Sequence, residues 1–354
     1  MAEPGTENQE PGTENQDLNV RILVVKLSSL GDILHVLPTV HELRVQLGAE
    51  VDWVVHPEFA SLVRCFADVD NVLTFPRHHV LRDLRASLRA LRSREYDLVV
   101  DLHGLFKSGI VSRLARGKRK IAPSYAREGS SMFFRERAGR FNRTRHAVEQ
   151  AFDTLDYLGL KRPSGQFRAA LRPLEGAANP AIPDFTEGSR TIAFAPVSRW
   201  PSKDWPAARY GELANLLLKR DSALHIVIVG GKADSAVGET IVSAAPAADA
   251  KRLFNLCGKT SIAESLALLA KCDLLIANDT GPVHMAAAVG TRCLVIFGPT
   301  RPDWTGPYGE GHRIIMRDLP CQPCLKHRCP RGDHACMESI SAAEVASIVS
   351  EDNF

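Results

Sequence analysis

The chain has no apolar run approaching the roughly 18 residues a membrane-spanning helix requires, and its first residues show no basic-then-apolar leader pattern. Those two absences point to a cytoplasmic protein. Neither sign of charge is in large excess: 44 Lys and Arg against 41 Asp and Glu leave a net +3 over 354 residues, too little to argue for a nucleic-acid partner. No G-x-G-x-x-G occurs, which excludes the dinucleotide fingerprint. The N-terminus also lacks a core. Residues 3–9 and 10–16 are one heptapeptide, EPGTENQ, in tandem, with no apolar residue to offset the entropy of ordering, so residues 1–17 are expected to form a disordered tail.

The remainder has an ordinary globular composition, 45% AVILMFWYC and 24% charged, and its length argues for two domains. Apolar runs at 21–26, 51–56, 71–75, 96–102 and 120–124 predict strands, with helical stretches between them. One helix is expected from about 31 to 48, with Pro38 either kinking it or starting its second part. Residues 161–190 break this pattern with Pro163, Pro173, Pro180 and Pro183, and the linker is placed at 166–190. A second series of strands follows at 191–196, 224–231, 252–257, 273–279 and 292–299, with helices centred near 206–220, 233–245, 261–271 and 281–290. Strands alternating with helices imply parallel sheets covered on both faces. The expected organisation is α/β, with a first domain at 18–165 and a second at 191–340. A C-terminal helix at 341–354 is expected to pack back on the first domain.

Four segments carry chemistry. VVKLSSLGDILHVLP (24–38) joins a strand, a small-residue loop and a helix start, where free N–H groups favour negative charge. Asp32 at that turn is either a base at the mouth of a cleft or a helix cap. DLHGLFKS (101–108) follows another strand, so His103 and Lys107 are either cleft ligands or caps. In PVSRWPSKDWP (196–206), Ser198, Arg199 and Lys203 offer a hydroxyl and two cations to a diphosphate, while Trp200 and Trp205 read as packing residues. NDTGPVH (278–284) ends an apolar strand and opens a small-residue helix. The N–H groups at Thr280 and Gly281 would point at a phosphate, Asp279 could hold the loop or a sugar hydroxyl, and His284 could donate to a phosphate oxygen.

Two further features stand out. Residues 107–145 hold a dense basic run: Lys107, Arg113, Arg116, Lys118, Arg119, Lys120, Arg127, Arg135, Arg137, Arg140, Arg143 and Arg145. It is either a solvated face or a docking surface for an anionic glycolipid. Four of the eight cysteines, Cys321, Cys324, Cys329 and Cys336, are spaced C-x2-C-x4-C-x6-C in a loop at 320–337. Four thiolates there could close a zinc or iron site, with His327 and His334 as spare ligands, or remain a reduced, metal-free loop.

The ordered motifs LSSLGDILHVLP, DLHGLFKS, SRWPSKDWP and NDTGPVH resemble the bacterial heptosyltransferases of glycosyltransferase family 9 over nearly the whole chain after the tail. AREGSSMFFRERAGRFNRTRHAVEQ (126–150) is similar to the family's acceptor-side region. The resemblance implies a GT-B fold, two Rossmann-like domains with the donor bound mainly by the second. It implies inverting, metal-independent transfer from ADP-L-glycero-D-manno-heptose to the inner core of lipopolysaccharide. By position, Asp32 matches the general base and Lys203 the cation that stabilises the departing diphosphate. Ser198, Arg199, Asp279, Thr280, Gly281 and His284 fall in the donor-binding segments. His103, Lys107 and Arg127 fall on the acceptor side, where a Kdo-lipid A type glycolipid and peripheral contact with the inner membrane are implied. The ribose-binding acid is Asp234 or Glu239. Some related protein heptosyltransferases hold iron in such a cysteine loop, which would make a metal here structural and leave catalysis without a cofactor. The competing readings are a family member acting on another acceptor, such as a protein, and a catalytically silent sugar-nucleotide-binding protein.

Overall fold

A computed structural model describes residues 20–76, 80–142, 144–174, 179–185, 189–246 and 250–351. The repeat tail and Arg143 of the basic run lie outside them.

Two six-stranded, all-parallel sheets form the molecule. The first contains β1 (Val20–Val25), β2 (Ala49–Val55), β3 (Asn71–Thr74), β4 (Tyr96–Asp101), β5 (Gly117–Ala122) and β6 (Glu136–Arg137), in the order β3-β2-β1-β4-β5-β6. The second contains β7 (Arg190–Ala195), β8 (Leu224–Ile228), β9 (Leu253–Asn255), β10 (Leu274–Asn278), β11 (Arg292–Phe297) and β12 (Arg313–Met316), in the order β12-β11-β10-β7-β8-β9. Each sheet is thus a Rossmann sheet whose order reverses between its first and fourth strands, β1/β4 and β7/β10. That reversal opens a crevice at the carboxyl ends of the strands. Val and Ile runs such as Ile22–Val25 and Leu274–Ala277 are buried because helices cover both faces.

Ten strands lie where the apolar runs predict them. β6 and β12 were not legible: β6 has two polar residues, and β12 is an edge strand with Arg313 and Ile314 exposed. Pro38 begins a second helix, Leu37–Leu47, after a short helix Leu30–His35. Its ring sits in the first turn, where a missing N–H leaves no intrahelical bond unmade.

The proline-rich connection is strapped to both halves. Ala67 N–H donates to Ala170 O (2.9 Å), Arg172 N–H to Cys65 O (2.7 Å), and Ala169 N–H to Ala288 O (2.7 Å). The C-terminal helix departs from expectation. Ala342–Glu351 buries Ala342, Val345, Ala346 and Val349 in the core of the second sheet, beside the helix Ala207–Arg220 rather than on the first domain. The Arg220 guanidinium holds it by donating to Ala346 O (3.0 Å) and Ser350 Oγ (2.8 Å).

Candidate active site

The four motifs fall on the two switch points. The Asp32 loop leaves β1 and DLHGLFKS leaves β4; the Lys203 loop leaves β7 and NDTGPVH leaves β10. The short helix Leu30–His35 meets the helix Gly281–Val289, so two helix N-termini from opposite sheets approach each other. Glycine makes the approach sterically feasible: a Cβ on Gly31 would stand 2.7 Å from the His284 ring, and one on Gly281 would stand 2.5 Å from Leu30 Cδ2.

Asp32 is both a cap and a free carboxylate. Its Oδ2 accepts from Ser29 N–H (3.1 Å) and from the Ser29 hydroxyl (2.6 Å), while Oδ1 has no hydrogen-bond partner among the described residues. The side chain is exposed in the cleft, though ringed by protein on its other sides. Burial pushes the carboxyl up, but the Lys26 ammonium and the two Ser29 bonds outweigh it and bring it down to about 2. Lys26 itself is buried at the end of β1. Desolvation pulls its ammonium below the ordinary lysine value, while Asp32 and Asp101 act to raise it.

His103 lies in the same cluster, its pKa brought down to about 4 by burial and by Lys26. The DLHGLFKS turn is built on Asp101, which accepts from His103 N–H (2.8 Å), Gly104 N–H (3.0 Å) and Ser108 Oγ–H (2.8 Å). Burial nevertheless raises Asp101 to about 6. Lys107 turns away from this cluster, donating to Pro76 O (3.2 Å) with its ammonium 5.6 Å from the Phe75 ring centre. Arg127 is exposed, its backbone N–H tied to Gly104 O (2.9 Å) and its charge close enough to lower the Lys26 pKa.

Across the cleft, Lys203 donates to Asp279 Oδ2 (2.7 Å), which also accepts from the Thr300 hydroxyl (2.7 Å). The pair is largely buried, and the Lys203 ammonium lies 5.0 Å from the Trp200 ring centre. Thr280 caps the following helix by backbone geometry alone; Pro282 has no N–H and Val283 N–H donates to Thr280 O (3.1 Å), so Gly281 N–H is the first-turn donor left without a partner among the described residues. The Ser198 hydroxyl is engaged locally, donating to Trp200 O (2.8 Å), and Arg199 is exposed. Trp205 packs in the core and donates to Ile340 O (2.9 Å), as a packing residue should. Of the two candidate ribose acids, Asp234 lies on the loop after β8 and accepts from Gly231 N–H (2.7 Å), whereas Glu239 is inside a helix and accepts from Asn255 (2.7 Å).

Much of the basic run is locally neutralised. Lys118 pairs with Asp97 (2.7 Å), Arg119 with Glu136 (2.6 Å) and Arg145 with Asp153 (2.6 Å). Arg113, Arg127, Arg135 and Arg140 are exposed and have no ion pair among the described residues. They lie near exposed Phe106, Met132 and Phe141 in the chain.

The four clustered cysteines line one small cavity together with Ser202 and His334. Backbone N–H groups of His334, Arg331 and Gly332 beside the Cys329 sulfur lower its pKa, against the opposing effect of burial. The other three thiols act on Cys336, which burial raises to about 11. Among the described residues, no three His, Cys, Asp or Glu side chains are arranged to hold a metal ion. The loop is also clasped to the Lys203 turn: Ser202 Oγ–H donates to Lys326 O (2.6 Å), and His334 Nε2 to Ser202 O (2.6 Å).

Sequence reasoning missed Lys26, Thr300 and the pair His35 and His146. Lys26 had a signal, being the one charge closing an apolar strand; His35 lies one helical turn beyond Asp32 but has no motif of its own.

Comparison with known proteins agrees with the geometry. The family model for glycosyltransferase family 9 (heptosyltransferase) matches residues 84–334. Lipopolysaccharide heptosyltransferase 1 of Pseudomonas aeruginosa is 32% identical over 88% of this chain and 87% of its own. The structure of E. coli heptosyltransferase WaaC with ADP has a TM-score of 0.75 at 26% identity, covering 94% of this chain and 100% of that one. The same enzyme with ADP-2-deoxy-2-fluoro heptose has a TM-score of 0.72 at 25% identity, covering 94% of this chain and 100% of that one. With two Rossmann-like sheets in a GT-B arrangement and all four motifs at their switch points, the chain belongs to glycosyltransferase family 9, the heptosyltransferases.

Proposed function

We propose that the protein is an inverting glycosyltransferase that moves L-glycero-D-manno-heptose from ADP-heptose onto a Kdo or heptose of the lipopolysaccharide inner core. The observation that carries this reading is the ionised Asp32 with its free Oδ1, set opposite a lysine-anchored helix N-terminus. The first domain takes the acceptor and the second the donor. The acceptor hydroxyl gives its proton to Asp32 Oδ1 as its oxygen bonds the anomeric carbon from the face opposite the diphosphate. The bond from that carbon to the β-phosphate oxygen breaks, and ADP departs with the electron pair. Lys203, the Gly281 N–H and an N–H of His284 stabilise the growing charge. Asp279 holds Lys203 in place, and the family indicates no catalytic cofactor.

The same reading places an anionic Kdo-lipid A type acceptor near His103 and Arg127, with Arg113, Arg135 and Arg140 steering it from the inner-membrane face. It also has Cys321, Cys324, Cys329 and Cys336 draw together around one zinc or iron ion. Such an ion would staple the loop that clasps the Lys203 turn. The cavity that the four thiols share supports it.

Incubation with ADP-heptose and Kdo-lipid A, read by mass spectrometry, tests the reaction. The expected result is one added heptose with ADP release that depends on the acceptor. ADP release without glycolipid product, or heptose on a protein instead, would overturn the assignment of acceptor.

A further inference from the structure

Behind the helix N-termini lies a group of three histidines, of which the reaction as described uses only His284. His35 is 7% exposed, and its Nε2 is 3.2 Å from Nδ1 of His284, the rings standing nearly perpendicular at 77°. His146 lies on the other side of His35, ring centres 5.4 Å apart. Backbone groups fix its tautomer: its Nε2–H donates to Gly306 O (3.1 Å), and its Nδ1 accepts from Val148 N–H (3.2 Å).

One proton lies between His35 and His284, and the surroundings decide its owner. If it sat on His284 Nδ1, His35 would carry its own proton on Nδ1, which is buried and has no partner among the described residues. That leaves an orphaned buried N–H, the rarest kind of unsatisfied group. It would also turn a lone pair of His284 Nε2 toward a cleft that contains the Asp32 and Asp279 charges. If the proton sits on His35 Nε2, only a bare lone pair is buried and His284 must carry its hydrogen on Nε2. Burial lowers the pKa of both rings, so each is neutral and the choice is between tautomers. His284 Nε2 has no hydrogen-bond partner among the described residues.

We propose that His35 is a positioning residue. By donating from Nε2 to Nδ1 of His284, it holds His284 in the Nε2–H tautomer and aims that N–H at the phosphate site between the two helix starts. The identity of a ring proton is set by the bond its other nitrogen makes, and here that bond crosses from one Rossmann domain to the other. His284 therefore presents a donor only when the two helix starts are in contact. The use made of the N–H rests on the donor site proposed above; the tautomer does not.

The test is nitrogen NMR of the full chain labelled with 15N-histidine, with His284→Gln identifying the His284 signals, beside calorimetric titration with ADP. In the unmodified protein, His284 should show a bare Nδ1 and a protonated Nε2. His35→Leu should leave His284 as a mixture of tautomers and weaken ADP binding about 10-fold, the worth of one hydrogen bond to a charged group. His35→Gln, whose amide N–H can replace Nε2–H, should restore both. A proton on His284 Nδ1 in the unmodified protein, or an unchanged His284 pattern in His35→Leu, overturns the proposal. A changed tautomer with unchanged ADP affinity upholds the role of His35 and removes His284 from the donor site.

Discussion

Replacing Gly31 with alanine probes whether the two helix starts must touch. The added methyl would lie 2.7 Å from Cδ2 of His284 and 3.2 Å from its Nε2. Carbon contacts settle near 3.5–4.0 Å, so the ring must withdraw by about 1 Å. Withdrawal breaks its 3.2 Å bond to His35 and moves it away from the phosphate site. A displacement of that size in a reacting assembly lowers turnover by about 10²-fold. Stability should respond in the opposite sense or not at all, since alanine is favoured over glycine in a helix by about 0.5–1 kcal/mol. The assay is acceptor-dependent ADP release at saturating substrates, with thermal unfolding by circular dichroism. Turnover within twofold of the unmodified protein would refute the argument that contact between these helices matters.

Lys203→Ala should lower turnover by about 10²–10³-fold. It should also destabilise the fold by about 3 kcal/mol, because Asp279 is left charged and buried with only Thr300; unchanged turnover removes Lys203 from the mechanism. Asp32, brought down to about 2, draws stability from its partners above its unfolded value near 4 and loses it as the pH falls through 2. Turnover should therefore show no acid limb from Asp32 between about pH 5 and 8, and a limb in that range that moves in Asp32→Glu would contradict the assignment. Acceptor binding should weaken with added salt more than ADP binding does, and equal sensitivity would count against the role of Arg113, Arg127, Arg135 and Arg140. Elemental analysis of untagged protein should find about one zinc or iron per chain, and metal-free protein of full stability would leave the cysteine loop as free thiols.

The strands that carry the motifs were legible because parallel strands buried on both faces are written as runs of Val, Ile and Leu. The order of those strands was not, since nothing local in 21–26 or 96–102 says that β1 and β4 are neighbours. The convergence of the four motifs is a property of that order. Asp32 could be read as a cap or a base; the structure shows one oxygen capping the helix start and leaves the other without a partner among the described residues, open to the role proposed for it. The basic run read as a single charged surface because its acids are scattered: Asp97 and Glu136 are recruited by strand pairing, and Asp153 by the following helix. The C-terminal helix was misplaced because an amphipathic stretch states that it has a buried face, not which core receives it. His35 was invisible for a similar reason, its partner lying 249 residues away.

The central claim is that Asp32 removes the acceptor proton, and Asp32→Asn tests it most directly. Asparagine caps a helix start about as well as aspartate, and its oxygen can still accept from Ser29 N–H, so the melting temperature and ADP affinity should hardly move. What it lacks is a basic oxygen at Oδ1. Turnover of ADP-heptose with Kdo-lipid A should fall about 10²–10⁴-fold. Near-normal turnover in a folded, ADP-binding Asp32→Asn protein would contradict the account and place the base elsewhere in the cleft.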